Sequence, residues 1–145
     1  MAEDINLHWV NALKSFEPAT YPVSLGLNRI GDGSLSLIAG PCAIESEMVC
    51  LAVAEHLSYL CDKLGITYIF KASFDKANRT SIKSFRGHGL EAGLAILQKI
   101  KDQFNVPILT DVHETEQVPY VAQVVDVLQI PRDEVGRRDR PHQIR

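Results

Sequence analysis

The segment from Lys71 to Gly87, KASFDKANRTSIKSFRG, carries the densest group of side chains that could bind a ligand. Its first thirteen residues contain four cations, and Asp, Asn, Ser and Thr side chains lie among them. Lysine and arginine bind phosphate and carboxylate groups, whereas amide and hydroxyl side chains bind hydroxyl groups. The segment therefore predicts a site for a ligand that is both phosphorylated and hydroxylated.

Short apolar runs precede this segment and three other polar clusters, and they are typical of buried strands. The predicted strands are 35–39, 66–70, 106–109 and 127–130. The predicted helices are 46–64 with Ser46 as cap and Gly65 as stop, 90–104, and 115–125 with Thr115 as cap. Strands and helices alternate about every 30 residues, as in βα units, which predicts an α/β fold with a parallel sheet.

Polar side chains follow each predicted strand at the point where the strand ends. Cys42 follows the first strand, Lys71 the second and Asp111 the third, and the fourth leads into Gln129 and Pro131. In parallel α/β folds, the loops after the carboxyl ends of the strands carry the active site. These side chains are therefore predicted to meet at one edge of the sheet, although the pattern does not separate a closed barrel from an open sheet.

Two segments flank the strand-and-helix region, which spans 35–131. Residues 1–34 are predicted to form an irregular extension, because prolines and glycines interrupt them repeatedly. Residues 132–145 hold eight charged side chains among fourteen positions and few large apolar ones. They lack the apolar surface for a packed core, so we expect a disordered, charged tail.

The composition is that of an ordinary soluble, cytoplasmic domain. The 145 residues are 46% hydrophobic and 23% charged, with a net charge of −3, which argues against nucleic-acid binding. We expect no membrane partner, because no apolar run approaches the roughly 20 residues of a spanning helix. Three cysteines suggest reduced thiols, and Cys50 and Cys61 are predicted to lie in the core.

Four stretches, AGPCAIES, FKASFDKANRTSIKSFRGHGLEAGL, TDVHE and DVLQIP, resemble a known family in order and spacing. They are similar to the 3-deoxy-D-manno-octulosonate 8-phosphate synthases, also called 2-dehydro-3-deoxyphosphooctonate aldolases. The resemblance covers residues 36–131 and implies the first half of a (β/α)8 TIM barrel, a fold that typically needs about 250 residues. A chain truncated after about residue 131 is therefore expected.

The resemblance also implies a reaction and its substrates. The family condenses phosphoenolpyruvate with arabinose 5-phosphate and releases phosphate, which supplies a lipopolysaccharide precursor. Lys71 would bind the phosphate or carboxylate of phosphoenolpyruvate, and Lys76 would lie between the two substrates. Asn78 would bind sugar hydroxyls, while Arg79 and Thr80 would bind the sugar phosphate. Family members form homo-oligomers.

Asp111 and Cys42 complete the residues that the resemblance assigns. Asp111 matches an aspartate near the sugar hydroxyls and would be catalytic together with Lys71 and Lys76. Cys42 matches the cysteine that marks the metal-dependent subclass, so a divalent metal of the Zn, Fe or Mn type is expected in intact members. We expect this chain alone not to bind that metal, because the remaining ligands would come from later strands. His113 receives no definite role.

Three interpretations remain open from the sequence. The chain is an active octulosonate phosphate synthase, a catalytically inactive fragment of one, or a 3-deoxy-7-phosphoheptulonate synthase. The KANRTS sequence disfavours the third interpretation, because those synthases have a different lysine loop.

Overall fold

The computed structural model describes residues 21–75 and 89–131 of the chain. Two short strands come first, β1 (Val23–Leu25) and β2 (Asn28–Ile30). Four further strands are β3 (Ser36–Ala39), β4 (Thr67–Lys71), β5 (Ile108–Asp111) and β6 (Val127–Gln129). The helices are α1 (Glu47–Leu64), α2 (Leu90–Phe104) and the short α3 (Val118–Val121), which follows a 3₁₀ turn at Thr115–Gln117.

Strands β3 to β6 form one parallel sheet whose spatial order is the order of the chain, β3-β4-β5-β6. Connections between parallel strands are almost always right-handed. Because each new strand is added on the same side of the previous one, all the connecting helices lie on one face of the sheet. A doubly wound sheet would reverse direction at a switch point, and the described strands show no reversal. The α/β prediction is confirmed, and the sheet is consistent with part of a (β/α)8 barrel.

The core lies between this sheet and the two long helices. Phe70 of β4 and Ile108 of β5 are fully buried in one cluster with Leu97 and Ile100 of α2. Complete burial of each such side chain contributes about 1.5–3 kcal/mol. Other members come from α1, and they include Cys50, Ala54 and Cys61, so the prediction that both cysteines are core residues is confirmed.

Helix α1 begins and ends as the sequence predicts. The Ser46 hydroxyl accepts a hydrogen bond from the Val49 backbone N–H at 3.3 Å. At the other end Gly65 has a φ of +65°, and its N–H donates to Asp62 while the N–H of Ile66 donates to Cys61. This pair of bonds is a Schellman motif, which satisfies the last carbonyls of the helix.

The hairpin of β1 and β2 corrects the prediction that residues 1–34 are irregular. Its register pairs Leu25 with Asn28, which leaves Gly26 and Leu27 as a two-residue loop. Gly26 has a φ of +58°, which such a loop requires at its first position and which glycine adopts without steric cost. This glycine therefore forms the turn between two strands, whereas the sequence pattern predicts irregular structure from the glycines of this region.

The helix predicted from Thr115 to Val125 is also corrected, because α3 ends at Val121. The capping residue is Glu114, not Thr115. The Glu114 side chain accepts the N–H of Gln117, and the Gln117 side chain accepts the N–H of Glu114. This reciprocal arrangement satisfies two backbone donors, which a threonine hydroxyl alone would not do.

Several predictions fall on other parts of the chain. The predicted division at residues 34 and 131 stays a prediction, and the charged tail at 132–145 lies outside the described residues.

Within the described ranges, no helix is long and apolar enough to cross a membrane.

Candidate functional site

Lys71 and Asp111 meet at the carboxyl edge of the sheet. Each is the last residue of its strand, and the register places Lys71 beside Leu109, two residues before Asp111 on neighbouring β5. The Lys71 Nζ lies 3.9 Å from the Asp111 Oδ1, and the two side chains are 23% and 9% exposed. The structure thus brings together two of the residues that the sequence singled out, and their catalytic roles stay predictions.

The hydrogen bonds within the described residues do not use all the donors and acceptors of this pair. The Lys71 ammonium donates to the Ser73 hydroxyl at 3.2 Å, and its 3.9 Å separation from Asp111 is too long for a direct hydrogen bond. Within the described ranges, the buried Asp111 Oδ1 has no hydrogen-bond partner. A buried carboxylate oxygen without a donor is costly, so this atom is a candidate acceptor for a donor that the described residues do not supply.

His113 is the third polar side chain at this edge, and it is buried, with 4% of its side chain exposed. Its Nε2 lies 3.1 Å from the Asp75 carbonyl oxygen and 3.4 Å from the Asp111 Oδ2. Its ring also makes an edge contact with the Phe74 ring, with centroids 6.4 Å apart. Sequence reasoning gave His113 no role, although side chains two residues apart on an extended chain share one face, which placed it beside Asp111.

The residues that follow β4 are hydrogen-bonded to β5 on one side and to the residues after β3 on the other. The Thr110 hydroxyl donates to the Ala72 carbonyl at 2.7 Å, and this bond is fully buried. On the other side, the Ile44 N–H donates to the Ser73 carbonyl at 3.0 Å. Residues 72–73, directly after Lys71, therefore form a fixed base for the candidate site.

Two glycines permit the close approach that this base requires. A Cβ at Gly40 would lie 2.1 Å from the Lys71 carbonyl oxygen, so the end of β3 can adjoin Lys71 only without a side chain there. A Cβ at Gly93 of α2 would lie 2.5 Å from the Phe74 Cβ. The close packing of Gly40 against the Lys71 backbone thus explains why the AGPCAIES stretch has a glycine at this position.

The remaining predicted site residues are not all described. Lys76, Asn78, Arg79 and Thr80 lie outside the described residues. Cys42 is an exposed free thiol. Across 21–75 and 89–131, no group of three or more His, Cys, Asp or Glu residues is placed to hold a metal ion.

Comparison with known proteins gives one family match. The sequence model described as the DAHP synthetase I family matches residues 20–134, which include the strands and helices of the described residues. The match therefore covers the four described strands of the parallel sheet and both residues of the Lys71–Asp111 pair.

Individual relatives carry a more specific name. A 2-dehydro-3-deoxyphosphooctonate aldolase of a Cyanothece species is 61% identical over 103 residues, which are 70% of this chain and 38% of that relative. The proteins of the same name from a Synechococcus species and from Geobacter sulfurreducens are 57% identical over 103 residues and 46% identical over 131 residues. These matches cover 70% and 83% of this chain, and 36% and 48% of those relatives. The chain thus spans less than half the length of each of these three relatives.

Proposed function

Because the chain belongs to the DAHP synthetase I family, we propose that it serves to condense phosphoenolpyruvate with arabinose 5-phosphate. The products would be 3-deoxy-D-manno-octulosonate 8-phosphate, a lipopolysaccharide precursor, and inorganic phosphate. The observation that carries this proposal is the 61% identity over 103 residues with a 2-dehydro-3-deoxyphosphooctonate aldolase. The proposed reaction requires a closed (β/α)8 barrel. The described sheet would contribute four neighbouring strands to that barrel.

Lys71 is proposed to bind an anionic group of phosphoenolpyruvate. Its ammonium lies at the carboxyl end of β4, where parallel α/β enzymes bind their substrates, and it is only partly exposed. A lysine in this setting makes charge-assisted hydrogen bonds with phosphate or carboxylate oxygens. The hydrogen bond with Ser73 keeps the ammonium near this edge when the ligand is absent.

Asp111 is proposed to accept a hydroxyl of arabinose 5-phosphate. Its Oδ1 is buried, lacks a donor among the described residues, and lies 3.9 Å from the lysine ammonium. A sugar hydroxyl on this oxygen would place the sugar next to the anion on Lys71. Holding two reactants in contact replaces a bimolecular encounter, which can contribute about 7–11 kcal/mol to catalysis.

The proposed reaction balances without an oxidant or reductant. The enol carbon of phosphoenolpyruvate forms a bond with the aldehyde carbon of the sugar, and water adds to the neighbouring enol carbon. The bond between that carbon and the bridging oxygen then breaks, and phosphate leaves. Lys71 would stabilise the negative charge on the departing group through an electrostatic contact formed before the reaction.

The proposed enzyme would use a divalent metal, and Cys42 is the one described residue that is proposed to bind it. Its exposed thiol would supply one ligand to a divalent metal, and a metal of the Zn, Fe or Mn type accepts such a thiolate. The other ligands would have to come from outside the described residues. A cytoplasmic location, small-molecule substrates and a homo-oligomeric assembly likewise remain expectations.

The experiment measures phosphate release from phosphoenolpyruvate by the purified, metal-supplemented protein. One reaction contains arabinose 5-phosphate and a matched reaction contains erythrose 4-phosphate. The proposal predicts release that depends on arabinose 5-phosphate and falls at least about tenfold with the shorter sugar, a loss equivalent to roughly 1.4 kcal/mol. Faster release with erythrose 4-phosphate would favour a heptulosonate synthase, and binding without release from either sugar would favour an inactive fragment.

A further inference from the structure

His113 lies within the candidate site, but the proposed reaction gives it no task. Its side chain is buried, and its surroundings hold it in one orientation. The Phe74 ring packs against the imidazole, and the Gln117 side chain accepts the backbone N–H of His113 at 2.9 Å. A side chain fixed in this way costs little further entropy when it holds another group in place.

The neighbours of the imidazole determine which nitrogen carries the proton. The Nε2 atom lies 3.1 Å from the carbonyl oxygen of Asp75 and 3.4 Å from the Oδ2 of Asp111. A carbonyl and a carboxylate only accept hydrogen bonds, so Nε2 must be the donor. Nδ1 is buried and has no partner among the described residues.

This single N–H connects two parts of the site that come from different strands. Asp111 ends β5, whereas Asp75 lies four residues after Lys71, the last residue of β4. The N–H donates to the Asp75 backbone and attracts one oxygen of the Asp111 carboxylate. The other oxygen, Oδ1, remains directed to the Lys71 side, at 3.9 Å from the ammonium.

We propose that His113 is a positioning residue that fixes the Asp111 carboxylate relative to the backbone at Asp75. This inference rests on the proposed function, because it assigns to His113 the placement of the carboxylate that is proposed to bind the sugar. His113 itself is not expected to touch the reacting atoms.

Two substitutions of similar polarity separate positioning from simple packing. In His113→Gln, the side-chain amide nitrogen can occupy the place of Nε2 and donate to Asp75. In His113→Asn, the amide nitrogen corresponds to Nδ1, so the Asp75 carbonyl and the Asp111 carboxylate lose the hydrogen-bond donor that His113 supplies. Both variants remove the ring and its contact with Phe74, so each serves as the packing control for the other.

The test compares kcat and KM of both variants with those of the wild-type protein in the arabinose 5-phosphate reaction. Misplacement of a reacting group by about 1 Å can cost about 100-fold in rate, so we expect that loss of kcat in His113→Asn. We expect His113→Gln to stay within about fivefold of wild type, and both variants to keep a similar KM for phosphoenolpyruvate. Equal losses in the two variants, or none in His113→Asn, would overturn the inference.

A second measurement on the wild-type protein needs neither activity nor a stable variant. Nitrogen-15 NMR of the imidazole distinguishes the two neutral tautomers, and the inference requires that His113 carry its proton on Nε2. A proton on Nδ1 alone would overturn it. An inactive wild-type protein would contradict the proposed function, whereas active protein with equal losses in both variants would contradict only the role of His113.

Discussion

Substitution of Gly40 by alanine tests the geometry of the site through a single methyl group. The new Cβ would lie 2.1 Å from the Lys71 carbonyl oxygen, 3.0 Å from the carbonyl carbon and 3.2 Å from the backbone nitrogen. Ordinary carbon–oxygen contacts begin near about 3.3 Å, so the two strand ends must separate by about 1 Å. No side-chain rotation can relieve this overlap, because these three nearest atoms all belong to the backbone.

Because the steric overlap cannot be relieved, we expect Gly40→Ala to lower the free energy of unfolding. Overpacking typically destabilises a protein by about 1–3 kcal/mol, and we expect Gly40→Ala to lie near about 3 kcal/mol. Displacement of Lys71 by about 1 Å should also lower kcat/KM for phosphoenolpyruvate by about 100-fold. Urea unfolding followed by circular dichroism measures the first effect, and the phosphate-release assay measures the second.

Gly65→Ala is the matched control for this variant. Gly65 has a φ of +65°, and a methyl group added there would meet no neighbouring atom within 4 Å, so alanine causes backbone strain without a steric clash. We expect a cost of about 1 kcal/mol and unchanged kcat/KM. If Gly40→Ala were as stable and as active as the Gly65→Ala control, the close approach of β3 to Lys71 would be wrong.

Three further predictions concern stability and thiol chemistry. Thr110→Val leaves the buried Ala72 carbonyl without its donor and should lower the free energy of unfolding by about 1–3 kcal/mol, whereas Thr110→Ser should lower it less; equal urea curves would contradict this. A thiol reagent at pH 8 should modify Cys42 rapidly and Cys50 and Cys61 only after unfolding, and Cys42→Ser should abolish the rapid phase; persistence of that phase would contradict the assignment. Burial raises the pKa of Cys50 and Cys61 above the ordinary value of 9.0, so their stabilising effect is complete below pH 9 and is lost as the pH rises through the raised values. The urea midpoint should therefore fall more steeply above pH 9 in the wild type than in a double alanine variant of these two cysteines, and parallel pH profiles would count against this account.

Local signals account for the parts of the fold that the sequence predicted well. Ser46 and Gly65 determine the ends of α1 through bonds that reach only a few residues along the chain. Helix α2 spans the residues that its apolar spacing indicates. The meeting of Lys71 with Asp111 could also be predicted, because parallel neighbouring strands present their carboxyl ends at the same edge.

Contacts between distant residues account for what the sequence did not show. Strand β5 begins at Ile108, two residues later than predicted, because Pro107 has no N–H for the ladder. The N–H of Ile108 is instead bonded to the Asp126 carboxylate, which also accepts the Lys101 ammonium at 2.9 Å. Neither partner of Asp126 is its neighbour in sequence.

The candidate site shows the same limit. The hydrogen bond from Thr110 to the Ala72 carbonyl and that from His113 to the Asp75 carbonyl each join residues 38 positions apart. Residue type alone does not reveal such bonds, since the acceptors are backbone carbonyls that every residue carries. Sequence could therefore identify candidate ligands for a substrate, but the residues that hold them in place required the structure.

The fate of the bridging oxygen of phosphoenolpyruvate tests the central claim most directly. The protein is incubated with arabinose 5-phosphate and phosphoenolpyruvate labelled with oxygen-18 at the bridging position, and the products are analysed by mass spectrometry. The account predicts labelled inorganic phosphate and an unlabelled eight-carbon sugar acid phosphate in equal amounts, because the carbon–oxygen bond breaks. Label retained in the organic product, or phosphate released without an eight-carbon product, would contradict it.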